Sequence, residues 1–126
     1  MTTELALGPI GQISVTAHDL DRAVAFYRDV LGMKFLFPAG QLAFFDCGGI
    51  RLMLAVPDKP EFDHPSSILY FKVPDIQKSH AALVERKVKV EEAPILVAKL
   101  EKFDLWLSSF RDSEGNLLAL MSEVAR

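Results

Sequence analysis

Histidine is the side chain best suited to acid–base work and to holding a transition metal near neutral pH, and this chain carries three: His18, His64 and His80. No two of them form a His-x-His or His-x-x-x-His pair, so none has the spacing of neighbouring ligands. His18 stands just before an N-cap, His64 between Asp63 and Pro65, and His80 inside an apolar helical stretch. Turn, linker and packing roles are predicted for them. The single cysteine, Cys47, sits beside Asp46, whose negative charge raises a thiol pKa and predicts an inert sulfur. Ser66-Ser67 and Ser108-Ser109 lack the strand–Gly-x-Ser-x-Gly–helix setting of a hydrolase nucleophile. Gly48-Gly49 and Gly115-Asn116 read as hairpin turns rather than a phosphate loop, with Asp46 and Asp112 at matching structural positions. What remains is a set of polar and aromatic strand residues able to hold a small molecule.

A duplicated plan positions those residues. Asp19-Leu20 ends a strand and opens an apolar helix, and Asp75-Ile76 does the same 56 residues later. Phe44-Phe45-Asp46-Cys47-Gly48-Gly49 leads into an apolar strand from Ile50, as Phe110–Asn116 leads into one from Leu117, now offset by 66 residues. Residues 10–17 alternate apolar and polar, the mark of a strand with two unlike faces. Asp19 caps a helix running to about Leu31, which buries Leu20, Ala23, Val24, Tyr27 and Leu31 and stops at Gly32. Strands at 33–37, 42–46 and 50–56 complete a βαβββ unit. Pro57 to Pro65, with three prolines and four charged residues, reads as a linker. The second unit has a strand at 67–73, a helix from Ile76 to about Lys87, and strands near 89–93, 104–110 and 117–121. One domain spanning 1–126 is therefore predicted, with modules at about 9–56 and 66–124 and the Pro-rich linker 57–65 between them. The growth of the offset puts ten extra residues within 93–103, read as a loop overhanging a cavity or an ordinary surface insertion.

A chain of 126 residues can bury a real core. Its net charge of −3 argues against nucleic acid, which calls for a basic stripe. Arg86, Lys87 and Lys89 lie among Glu85, Glu91 and Glu92, which predicts a solvated face. No apolar run is long enough to span a membrane. Met1-Thr2-Thr3-Glu4 lacks the basic start of a secretory leader, so the cytoplasm is the expected compartment.

Within each strand, the leucine-rich parity (Leu52, Leu54; Leu69, Phe71; Leu105, Leu107; Leu118, Leu120) is expected to meet the helices. The other parity is mixed: Gln12, Ser14, Thr16; Arg51, Met53, Ala55; Ile68, Tyr70, Lys72; Trp106, Ser108; Ala119, Met121. Such a face is too polar for core and too apolar for open surface, so it suits a ligand-lined cavity or a dimer partner. Trp106 and Tyr70, joined by Phe45, would stack on a planar or apolar ligand or fill the cavity themselves. Arg51 and Lys72 would meet an anionic group, or lie at wet strand ends. Gln12, Ser14 and Ser108 would orient a polar one.

The segment Val15-Thr-Ala-His-Asp-Leu-Asp-Arg-Ala-Val-Ala-Phe-Tyr-Arg-Asp-Val-Leu-Gly32 resembles the opening of the vicinal oxygen chelate superfamily, the group of glyoxalase I, bleomycin-resistance proteins and extradiol dioxygenases. Phe110-Arg-Asp-Ser-Glu-Gly-Asn-Leu-Leu-Ala-Leu120 is similar to its closing strand. The resemblance implies an α+β fold, with two βαβββ modules forming an eight-stranded U-shaped sheet around a cavity, and a homodimer. It also implies four inward metal positions, which fall on Gln12, Met53, Ile68 and Ala119. Family enzymes place His, Gln or Glu there. Ile68 and Ala119 offer no donor atom, and a thioether is a poor ligand for a hard or borderline divalent ion. The expectation is a metal-free, cofactor-free cavity that sequesters an unknown small molecule, with Gln12, Ser14, Arg51, Met53, Ile68, Tyr70, Trp106, Ser108, Ala119 and Met121 as its lining. Two alternatives remain open: a divalent-metal lyase, isomerase or dioxygenase with atypical ligands, and a metal-free enzyme using Tyr70 for acid–base work.

Overall fold

In the computed structural model, which describes residues 5–126, both helices start as their caps require. The opening Met1-Thr2-Thr3-Glu4 lies outside the described residues. Strand β1 (Gln12–Thr16) leads to Asp19, whose carboxylate accepts the Arg22 N–H at 3.1 Å and opens α1 (Leu20–Ala25). Asp75 repeats the arrangement on the Lys78 N–H, also at 3.1 Å, and opens α2 (Ile76–Glu85). A side-chain acceptor at this position satisfies one of the donors that a helix start leaves unpaired. The first helix departs from expectation at its end. Instead of staying α-helical to Leu31, it widens into a π-helical turn over Phe26–Val30, with the Leu31 N–H donating to the Phe26 carbonyl at 3.0 Å. Adjacent Phe26 and Tyr27 pack edge-on there, their ring centres 5.7 Å apart.

The remaining strands are β2 (Lys34–Ala39), β3 (Leu42–Cys47), β4 (Ile50–Ala55), β5 (Leu69–Lys72), β6 (Val90–Lys99), β7 (Phe103–Arg111) and β8 (Leu117–Ala125). They form two four-stranded sheets of identical plan, ordered β1-β4-β3-β2 and β5-β8-β7-β6, with the first pair of each parallel and the others antiparallel. This is the α+β architecture of paired βαβββ units. The linker holds one short 3-10 turn, Pro60–Phe62. The ten extra residues do not form a loop. They lengthen the β6–β7 hairpin, whose register shifts around Pro94, a residue with no N–H to give the ladder.

The helix-facing sides of the two sheets share one core. Val15, Ala23, Tyr27, Phe45, Leu52 and Leu54 from the first module join Ile76, Leu83, Phe110, Leu118 and Leu120 from the second. Leu69 and Phe71 pack against it, as their parity predicts. Strand β7 corrects the prediction. Arg111 lies opposite Leu117, so Trp106, Ser108 and Phe110 fall opposite Ser122, Leu120 and Leu118, on the helix side. Leu105 and Leu107 lie opposite Glu123 and Met121, on the open side. Antiparallel partners share a face, so a one-residue error in placing the strand swaps every side chain.

Candidate functional site on the helix-free faces

The face of each sheet away from the helices is built by register. In the first sheet, Gln12, Ser14 and Thr16 lie beside Arg51, Met53 and Ala55 of β4. Phe44 and Leu42 lie opposite Met53 and Ala55. In the second, Tyr70 and Lys72 lie beside Ala119 and Met121.

Three adjoining cavities run along these faces. The largest, about 1050 Å³, is lined by Gln12, Ser14, Thr16 and Met53, with Phe62, His64 and Ser66 of the linker region folded over it. One of about 300 Å³ is lined by Ile68, Tyr70, Ile95, Leu107, Ser108 and Ala119. Between them a cavity of about 550 Å³ shares Thr16, His64 and Ser66 with the first and Ile68 and Leu117 with the second. Hydrogen bonds fix this junction. The Thr16 N–H donates to Ser66 Oγ at 3.1 Å, and Asn116 Nδ2 donates to the Thr16 carbonyl at 2.8 Å.

Gln12, Ser14 and Met53 thus share one cavity, and Ile68, Tyr70 and Ala119 share another. Arg51 and Met121 lie on the same faces but outside these linings. Trp106 does not join them. It packs against the core and lines a cleft beside Ile76 and Ser122 at the start of α2. Ser108 lines the smaller cavity but is buried, its hydroxyl already donating to the Glu92 carbonyl at 2.7 Å. Phe45 is core, and its neighbour Phe44 takes the open face, stacked on Phe37 at 4.7 Å with the Arg51 guanidinium 5.4 Å from its ring centre. The tight Gly48-Gly49 turn carries the signal that finds Phe44. A short hairpin turn fixes the register, which sets Asp46 opposite Arg51 and Phe44 opposite Met53.

The electrostatics concentrate on the second module's turn. The Glu114 side chain is 1% exposed and lies 2.7 Å from Arg22 Nε. Burial alone would raise its pKa, but hydrogen bonds from Arg22, the Asp19 and His18 N–H groups and Ser113 outweigh that and hold it down to about 2. His18 Nε2 lies 2.8 Å from Asp63 Oδ1, and His64 is an exposed linker residue. His80 is partly buried, its Nδ1 without a hydrogen-bond partner among the described residues. Burial and the charge of Asp46 both raise the Cys47 thiol, in keeping with an inert sulfur. Of the two cations expected to meet an anion, Lys72 pairs with Glu123, whereas Arg51 has no ion-pair partner among the described residues.

The four mapped metal positions do not fit a divalent ion. Gln12 Nε2 points at Met53 Sδ, 3.5 Å away, and Ile68 and Ala119 bring only hydrocarbon. Among the described residues no three His, Cys, Asp or Glu side chains group closely enough to hold a metal.

Comparison with known proteins agrees with this architecture. The protein is 26% identical to an uncharacterized protein, YraH, of Bacillus subtilis (strain 168), over 86% of this chain and 94% of that one. Its fold matches a lactoylglutathione lyase from Agrobacterium tumefaciens with a TM-score of 0.74 and 24% identity, over 93% of this chain and 95% of that one. It also matches a superfamily member from Sphaerobacter thermophilus DSM 20745 with a TM-score of 0.78 and 19% identity, over 94% of this chain and all of the other. The profile of one family covers residues 9–120, so the chain belongs to the Glyoxalase/Bleomycin resistance protein/Dioxygenase superfamily.

Proposed function

We propose that this protein binds a small molecule in the cavities of its helix-free faces without a divalent metal, sequestering it rather than transforming it. The observation that carries the reading is the donor set. One amide turned toward a thioether, with Ile68 and Ala119 at the counterpart positions, cannot compete with water for Zn, Ni, Fe or Mn. Gln12 and Ser14 supply hydrogen bonds, and Tyr70, 52% exposed, supplies a ring for a planar or apolar body. Arg51, without an ion-pair partner among the described residues, lies on the same face beyond the cavity walls and would meet a negative group only of a ligand that extends past them. Phe37, Ile68, Tyr70, Ile95 and Val97 are exposed hydrophobic residues on these same faces, a surface that a second copy would cover. A homodimer is therefore part of the proposal. So is a cytoplasmic location, since the lone Cys47 needs no oxidising compartment.

The fold likeness to a lactoylglutathione lyase favours a second reading, a metal-dependent lyase, isomerase or dioxygenase with ligands drawn from elsewhere. Native mass spectrometry of freshly purified protein separates the two. The expected result is a dimer that retains no divalent ion after dialysis. One ion per chain surviving dialysis would overturn the metal-free reading.

A further inference from the structure

On the helix side, where the modules meet, lies a cavity of about 240 Å³ lined by none of the residues assigned above to ligand binding. Val30, Leu31 and Met33 bound it from the first module. From the second, Ser79, Leu83 and Arg86 project into it, and their spacing along the chain puts them on one helical stripe together with Ala82. The broken repeat explains the space. At the 56-residue offset set by the caps Asp19 and Asp75, Phe26 and Tyr27 correspond to Ala82 and Leu83. The aromatic pair that fills the first module has a smaller aliphatic counterpart in the second, and a void remains.

We propose that this cavity is a second binding site, taking a small carboxylate with an aromatic or compact apolar body. An apolar protein cavity of roughly 150 Å³ accepts benzene, so this one has room for a ring and a short substituent. Arg86 is the exposed member of its lining. One guanidinium nitrogen, Nη1, donates to the Val30 carbonyl at 2.7 Å, which anchors the side chain across the modules. The other guanidinium N–H groups have no hydrogen-bond partner among the described residues, and a planar fork of that kind suits a carboxylate. Ser79 adds a hydroxyl to the wall. The Val30 carbonyl that fixes Arg86 belongs to the π-helical turn, a distortion that recurs at functional sites.

Titration of the full chain with benzoate, followed by backbone amide NMR, tests the site, with benzyl alcohol as the uncharged probe. Saturable shifts are expected at Val30, Leu83 and Arg86. Arg86→Gln should weaken benzoate by roughly tenfold, the scale of one charged hydrogen bond, and leave benzyl alcohol unchanged. Ala82→Leu should fill the cavity and abolish both. Should Ala82→Leu fail to fold, as judged by thermal melting, Arg86→Gln decides alone. Shifts confined to Gln12, Ser14 and Met53, no saturable shift at all, or benzoate binding unaltered by Arg86→Gln would each overturn the assignment. None of these outcomes bears on metal content, so the metal-free reading stands or falls separately.

Discussion

The turn after β3 and the turn after β7 hold the same place in the repeat and do different work. Asp46 is exposed on a plain hairpin that ends in Gly48-Gly49. Asp112 is buried, and its carboxylate accepts four hydrogen bonds: from the Tyr27 hydroxyl at 2.6 Å, the Glu114 and Asn116 N–H groups at 2.8 Å, and Asn116 Nδ2 at 2.9 Å. Two residues on, Glu114 receives Arg22 and the N–H groups of His18 and Asp19, and Asn116 reaches the Thr16 carbonyl. The second turn therefore ties β1 and α1 of the first module to β8 of the second. Duplication has kept a left-handed glycine at Gly49 and at Gly115, but the first turn leaves two residues between Cys47 and Ile50 and the second five between Arg111 and Leu117, and the side chains have diverged with them. A repeat predicts where a residue stands, and its neighbours decide what it does.

Substituting the two aspartates breaks this comparison most directly. Asp112→Ala should destabilise the protein by about 3–5 kcal/mol, because it leaves several buried donors unpaired at once. Asp46→Ala should stay within about 0.5 kcal/mol, as exposed substitutions do. Equal losses in chemical denaturation would mean that the second turn does not join the modules. Acid gives the next largest effect. The Glu114 carboxylate is held at about 2 when folded, below its ordinary 4.5, so its contribution is complete above that ordinary value and is lost as pH falls toward 2. The loss should be about 2 kcal/mol, less than the full shift implies because the Arg22 side of the pair is exposed. Glu114→Gln should flatten the stability profile over that interval, and a profile as steep as the parent's would assign the acid sensitivity elsewhere.

The same contrast shows what could be read from the chain. The caps Asp19 and Asp75, the eight strands and the two-module order were legible because they rest on local signals: short polar caps, alternation and turn residues. The placement of Trp106 was not. It depends on counting back from the β7–β8 turn, and a leucine-rich parity at Leu105 and Leu107 pointed the other way. Phe45 faces the core rather than the open side because the two-residue Gly48-Gly49 turn sets it opposite Leu52. The extra residues in 93–103 were found by offset, but whether they looped or extended a hairpin depended on pairing with β7, which local sequence does not encode. On the open faces one common lining is expected, whereas Gln12, Ser14 and Met53 line one cavity and Ile68, Tyr70 and Ala119 another. The linker residues that wall the largest cavity carried no periodic pattern to betray them.

A smaller change sharpens the account of Asp112. Tyr27 is fully buried, its ring 5.7 Å from Phe26 and 6.0 Å from Phe45. Tyr27→Phe keeps that packing and removes one of the four donors to Asp112, so a loss of about 1 kcal/mol is expected. Asp112 Oδ2 still receives Asn116 Nδ2, which limits the damage. Burial first, then the charge of Asp112 and the hydrogen bond to it, push the Tyr27 hydroxyl far above its usual range. It therefore stays protonated and donating, and the deficit should not change as pH rises to about 10, where a free phenol half-ionises. Denaturation at several pH values measures this. A loss as large as that of Asp112→Ala would move the weight of the junction from the carboxylate to the phenol. Above about pH 10 the phenol of the unfolded chain ionises while the buried one does not, so the deficit should shrink, and a deficit that persists well above that pH would mean that the hydroxyl ionises in the fold as easily as in the unfolded chain.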